Sequence, residues 1–151
     1  MVTAEQGAKI AEAAKSWLGT PHINNARVKG KGVDCGQLLI AAVEDAGLME
    51  RDSVKVAPYS NEFHLHNSAE WYLKIVQEFC DEVPLAEIRP GDFLLYQIGR
   101  IVSHGAIFMG GRCVCHAVIG LGVIMDDINA AMFYDKKGRS RLRGVYRYRG
   151  R

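Results

Sequence analysis

Ser103-His104-Gly105-Ala106-Ile107-Phe108-Met109-Gly110-Gly111-Arg112-Cys113-Val114-Cys115-His116 is the stretch whose reading decides the fold. Two runs of alternating side chains flank a glycine-rich turn, the pattern of an antiparallel hairpin. His104, Ala106 and Phe108 share one face of the first strand, and Val114, His116 and Val118 share one face of the second. A two-residue Gly110-Gly111 loop would send the histidines to opposite faces. A three-residue loop from Gly110 to Arg112 with a glycine bulge pairs Met109 with Cys113 and Ala106 with His116, and it sets the histidines diagonally on one face with Cα atoms roughly 7 to 8 Å apart. The second register is the expected one.

Outward from this hairpin, Arg89-Pro90-Gly91-Asp92 has Pro and Gly in the order of a type II turn. The spacing predicts strands over Phe93–Ile98, His104–Met109, about Cys113–Ile119, Val123–Asp126 and Arg141–Tyr148. The first third of the chain is helical in pattern. Ile10, Ala13, Ala14, Trp17 and Leu18 recur at helical spacing behind a Thr3/Gln6 capping box, and Gly19-Thr20-Pro21 ends the run. A polar loop from His22 to Val33 leads to a second apolar stripe, Cys35, Leu38, Leu39, Ala42, Val43 and Ala46, closed by Gly47. Asp34 and Gln37 have the spacing of an N-cap and its reciprocal partner, so Cys35 becomes the first helical residue. A third helix is expected from about Ser68 to Cys80, with Ala69, Tyr72, Leu73, Val76 and Cys80 on one face. Helices first and an antiparallel sheet of about five strands second describe an α+β domain, here one domain over residues 1–151.

Composition supports that reading and excludes others. At 151 residues, 48% hydrophobic and 24% charged, the chain is neither disordered nor fibrous. Its longest apolar run, Leu38 to Val43, is far short of the ~18 residues that span a bilayer. Glu5, Lys9, Glu12 and Lys15 interrupt any signal-peptide core, so cytoplasmic synthesis without a signal peptide is expected, with the four cysteines reduced. The formal net charge is only +2, yet eight cations and no acids fall in residues 136–151. Alternation with Leu142, Tyr146 and Tyr148 makes this stretch an edge strand with one wet face, the alternative being an anion-binding surface.

Three residues carry the candidate chemistry. A thiol at a helix N-terminus, or beside an imidazolium, can have its pKa lowered into the reactive range. Cys35 has that position, His104 is the candidate base, and His116 can hydrogen-bond His104 and fix its tautomer. The competing reading of Cys113, Cys115, His116 and His104 is a metal site, but strand alternation turns the two cysteines away from His116, so no cofactor is expected. Cys80, Cys113 and Cys115 are read as core packing, and His64 and His66 as loop residues or substrate-facing groups.

Gly32-Val33-Asp34-Cys35 opening an apolar helix, Arg89-Pro90-Gly91-Asp92 opening a strand, Ser103–Phe108 before a Gly-Gly turn, and a second histidine twelve residues after the first resemble the NlpC-type cysteine peptidases over roughly Trp17 to Asp126. The resemblance implies a papain-like α+β fold and hydrolysis of amide bonds in peptidoglycan stem peptides, such as that between D-glutamate and a diamino acid. It implies Cys35 as nucleophile, His104 as base and His116 as orienting residue, with no nucleic acid or metal partner. The family's cysteine is usually followed by Ser-Gly, whereas Gly36-Gln37 stands here, and its tyrosine after Gly-x-Pro is replaced by His22. His22 or Asn24, beside Asp34, is then the candidate second oxyanion donor. Tyr59 to Phe79, with Phe63-His64-Leu65-His66 and Trp71-Tyr72-Leu73, is similar to a phage and prophage branch in which the enzyme belongs to the virion tail and other tail proteins are its partners. The alternatives are a tail assembly or binding component of the same fold, and an amide or acyl transferase.

Overall fold

The computed structural model describes residues 1–60 and 70–150. Helix α1 (Ala4–Lys15) starts at the expected capping box: the Gln6 N–H donates to Thr3 Oγ1 at 3.1 Å, and the Thr3 N–H donates to Gln6 Oε1 at 2.9 Å. A short hairpin of β1 (Arg27–Val28) and β2 (Gly32–Val33) leads directly into α2 (Cys35–Asp45), and α3 (Trp71–Phe79) follows. The remainder is β3 (Cys80–Val83), β4 (Phe93–Gln97), β5 (Val102–Gly110), β6 (Cys113–Val118), β7 (Gly122–Asp127) and β8 (Leu142–Tyr148). These six pair antiparallel in the order β3-β8-β4-β5-β6-β7.

The helix-then-sheet order is as expected, with three corrections. The sheet has six strands rather than about five, because Cys80 leaves the third helix and opens β3. Asp81 and Glu82 are exposed in succession inside β3, so the stretch carries no alternation to read. The proposed start of the third helix, Ser68 and Ala69, lies outside the described residues. Strand β8 is not at an edge but lies between β3 and β4. The β5–β6 hairpin, finally, pairs Gly110 rather than Met109 with Cys113, with an irregularity between Phe108 and Gly110. One extra residue at Met109 restores the parity, so Ile107 still faces Cys115 and Phe108 faces Val114. His104 and His116 therefore fall on one face.

Each face of the sheet has its own core. Leu95, Ile107, Cys115, Ala117 and Val123 pack with Ile10, Ala14, Leu38 and Ala42 of α1 and α2. On the other face Leu94, Tyr96, Ala106, Phe108, Val114 and Val145 pack around Phe133, which a 3-10 turn over Ala131–Phe133 brings across the sheet. Burying a side chain of this size is worth about 1.5–3 kcal/mol.

The turn at Arg89-Pro90-Gly91-Asp92 locks the helices to the sheet. Gly91 has φ +94°, and a Cβ there would sit 2.1 Å from the Gly7 carbonyl oxygen, so the turn lies directly on α1. Asp92 accepts two bonds from Arg147 of β8, at 2.8 and 2.7 Å, and a third from the Arg89 N–H at 2.8 Å. Asp92 also holds the Arg147 guanidinium above its already high pKa. Both side chains are buried. Replacing Asp92 with alanine leaves the guanidinium without its counter-charge, and the expected loss is about 3–5 kcal/mol in chemical denaturation; a loss below 1 kcal/mol would show that water reaches Arg147.

Candidate functional site

Asp34 caps α2 in extended backbone, its carboxylate accepting from the N–H groups of Gly36 at 3.1 Å and Gln37 at 2.9 Å. The expected return bond from the Gln37 side chain is not made among the described residues; that side chain is engaged by the Tyr59 hydroxyl. Cys35 is the first helical residue, as the sequence implies. Its thiol donates to the Ser103 carbonyl at 3.4 Å, next to His104.

The electrostatics differ from the sequence expectation. Burial, and then the neighbouring Asp34 carboxylate, push the Cys35 thiol up to about 12, against the smaller opposing effects of the Tyr72 hydroxyl and the Gly105 and Gly36 N–H groups. A helix start favours a thiolate, but one turn of backbone dipole does not outweigh loss of water plus an adjacent anion. The resting sulfur is a thiol.

His104 on β5 and His116 on β6 are buried and joined, His104 Nε2 to His116 Nδ1 at 2.8 Å, with the rings edge to face. His116 Nε2 in turn lies 3.0 Å from Asp126 Oδ2 on β7. The proton positions follow from this chain. An ionised carboxylate only accepts, so His116 carries its proton on Nε2 and presents Nδ1 as an acceptor; His104 must then donate from Nε2, which leaves its Nδ1 unprotonated. Burial pushes His104 down to about 3, helped by the charges that His116 and His22 would carry, and burial also lowers His116 against the pull of Asp126. Both rings are neutral at neutral pH. Phe133 lies 5.2 Å from the His116 ring and Tyr96 6.2 Å from the His104 ring, walling the pair in.

Sequence reasoning missed Asp126 as a partner. It sits two residues beyond Ile124, the residue paired with His116, and reaches the imidazole diagonally. The available signal was parity: Ile124 and Asp126 share the His116 face of β7.

Cys35 and His104 line one open cleft of about 190 Å³, together with His22, Asn24, Asp34, Tyr59, Tyr72, Ser103 and apolar walls including Ile98, Ile119 and Met132. His22 is half-buried, and burial lowers its pKa. Asn24 donates to the Tyr59 carbonyl at 2.7 Å, which ties its amide to the cleft wall. His64 and His66 lie outside the described residues. Among the described residues no group of three His, Cys, Asp or Glu side chains is placed to hold a metal, and Cys115 packs in the helix-side core, away from His116.

Comparison with known proteins gives a consistent picture. A model described as the NlpC/P60 family matches residues 17–141. A search of curated proteins returned no match. Among solved structures the chain is similar to NlpC1 from Trichomonas vaginalis, at TM-score 0.68 and 18% identity, over 98% of this chain and 46% of that one. It is similar to the NlpC/p60 domain of the peptidoglycan hydrolase SagA, at TM-score 0.58 and 16% identity, over 93% and 97% of the two chains. It is also similar to Rv1477, a hypothetical invasion protein of Mycobacterium tuberculosis, at TM-score 0.56 and 18% identity, over 96% and 63%. The chain spans about half the length of the two Trichomonas proteins it matches.

The buried neutral histidines have a consequence for folding. The unfolded chain takes up a proton on each imidazole as pH falls through the ordinary value of 6.5, whereas His104 in the folded chain does so only near 3. The unfolded state binds more protons across that window, so stability falls as pH drops. Urea denaturation between pH 6.5 and 4.5 is expected to show this decline, with a shallower slope for His104→Gln; parallel slopes for the two proteins would mean that water or a counter-charge reaches the ring.

Proposed function

Because the chain belongs to the NlpC/P60 family, we propose that it forms a cysteine peptidase domain that hydrolyses amide bonds in the peptide stems of peptidoglycan, such as that between D-glutamate and a diamino acid. The observation that carries the reading is the ordered chain Asp126–His116–His104, which leaves His104 Nδ1 unprotonated on a residue that lines the same cleft as Cys35.

In this reading Cys35 gives its proton to His104 Nδ1 as its sulfur attacks the scissile carbonyl. Backbone N–H groups at the start of α2 receive the developing oxyanion. His104, now imidazolium, protonates the leaving amine, and a thioester to Cys35 remains. His104 then takes a proton from water, the hydroxide attacks the thioester, and the thiol is restored. His116 holds the His104 ring, and Asp126 stabilises the positive charge that passes through the pair. His22 is the better placed second oxyanion donor, because the Asn24 amide is already bonded to Tyr59. The reaction draws on no cofactor. Support for the substrate class comes from the family and from the hydrolase whose domain this chain resembles along nearly all of that domain's length. The resemblance of Tyr59–Phe79 to tail-borne relatives extends the proposal to a virion tail that meets the wall from outside, beside other tail proteins. No helix among the described residues is long and apolar enough to cross a membrane.

One observation favours a second reading. A thiol raised to about 12 is a poor nucleophile, as expected of a binding component that keeps the fold without the activity. Digestion of purified muropeptides, read by mass spectrometry, separates the two. Wild type should release stem fragments, Cys35→Ala should release none, and His104→Ala should be slower by about 10²–10⁴-fold. Asp126→Asn should fall between His104→Ala and wild type. Fragments persisting in Cys35→Ala would discard the peptidase reading, and capture of the acyl group by an added amine in preference to water would assign a transferase.

A further inference from the structure

Tyr72, the second residue of α3, is 4% exposed, and its hydroxyl forms no complete hydrogen bond with any described atom. The ring is tightly enclosed. A Cβ on Gly105 would lie 2.6 Å from the Tyr72 oxygen, and one on Gly36 would lie 3.1 Å from its Cε2 and 3.7 Å from its oxygen. Gly36 follows Cys35 and Gly105 follows His104, so the hydroxyl reaches the cleft through the space left by two absent side chains, one beside each reacting group.

A buried hydroxyl left unbonded is unfavourable, and such groups have an explanation when they persist. The explanation here is the sulfur. The Tyr72 hydroxyl acts on Cys35 in the sense that favours thiolate, together with the Gly36 and Gly105 N–H groups. In the resting state the S–H points to the Ser103 carbonyl, and the neutral sulfur is a weak acceptor. Once ionised it is a strong one.

We propose that Tyr72 is a positioning residue for the nucleophile: its hydroxyl waits unbonded beside the resting thiol and donates a hydrogen bond to the sulfur when Cys35 ionises. The S–H bond breaks, the proton goes to His104 Nδ1, the electron pair stays on sulfur, and the Tyr72 proton stays on its own oxygen. The bond strengthens only as the reaction begins, so it lowers the barrier rather than holding the resting state. It also offsets part of what burial and Asp34 do to the thiol. This proposal rests on Cys35 being the nucleophile.

The test is iodoacetamide alkylation of the full chain across pH 5–10, read residue by residue by peptide mass spectrometry with Cys80 and Cys115 as buried references. Tyr72→Phe keeps the ring and removes the donor. The thiolate fraction of Cys35 is expected to fall, giving about a tenfold slower reaction throughout this pH range, and the thermal midpoint should stay level or rise. Placing 3,5-difluorotyrosine at position 72, a stronger donor of nearly the same shape, should make Cys35 react faster than in wild type. A Cys35 rate unchanged relative to the buried references in either protein, or a lowered midpoint with an unchanged rate, overturns the proposal. Alkylation needs no substrate, so this result stands apart from the muropeptide digestion, which tests the peptidase reading itself.

Discussion

The Asp34 carboxylate is the constraint on which the rest of the site depends. It is 2% exposed, and it accepts from the N–H groups of Gly36 and Gln37, from the Asn25 N–H at 2.7 Å and from the Tyr59 hydroxyl. Those donors come from the start of α2, from the loop before β1 and from the segment after α2. One side chain therefore fixes where the helix begins, where the loop turns and where Tyr59 lies, and Cys35 has its position because those three are fixed. A carboxylate in this role is better than a hydroxyl, since it accepts several strong bonds at once.

The same carboxylate works against the chemistry proposed for its neighbour. Its charge adds to burial in keeping the Cys35 thiol protonated. Burial meanwhile keeps both histidines neutral. The site at rest is an uncharged thiol beside an uncharged imidazole, each with its proton position set by hydrogen bonds. Charge separation is deferred to the moment of attack, when the His116–Asp126 side stabilises the cation and the groups around the sulfur stabilise the anion. A reactive thiolate held permanently in a cleft is open to oxidation and stray alkylation, and a neutral resting pair is protected from both.

Local signals were legible in the sequence and relations across strands were less so. The caps of α1 and α2 rest on residues three apart, so Thr3, Gln6 and Asp34 could be read directly. The two histidines could be placed on one face because parity survives a bulge, even though the bulge itself fell at a different residue pairing. Asp126 was not assigned because a diagonal neighbour depends on a register that no local pattern states. Strand β8 read as a wet edge because its arginines look solvated. In the fold Arg147 is buried on Asp92, and Arg149 bonds the carbonyls of Gln77 and Glu78 near the end of α3. The pKa of Cys35 depends on dehydration and an adjacent anion together, and composition carries neither.

The position of β8 bears on how this molecule is made. It is the last strand in chain order yet lies inside the sheet, between β3 and β4, and Arg147 closes the turn that binds α1. While residues 142–148 are still within the ribosome, β3 has no neighbour, the Asp92 turn has no cation, and the sheet can assemble only from β4 to β7. Helices and hairpins form earlier from local contacts, but the long-range pairing that completes the sheet waits until β8 has left the ribosome. A growing chain on the ribosome therefore carries its thiol and histidines in an unfinished frame, with the sheet still open between β3 and β4 until synthesis has passed β8.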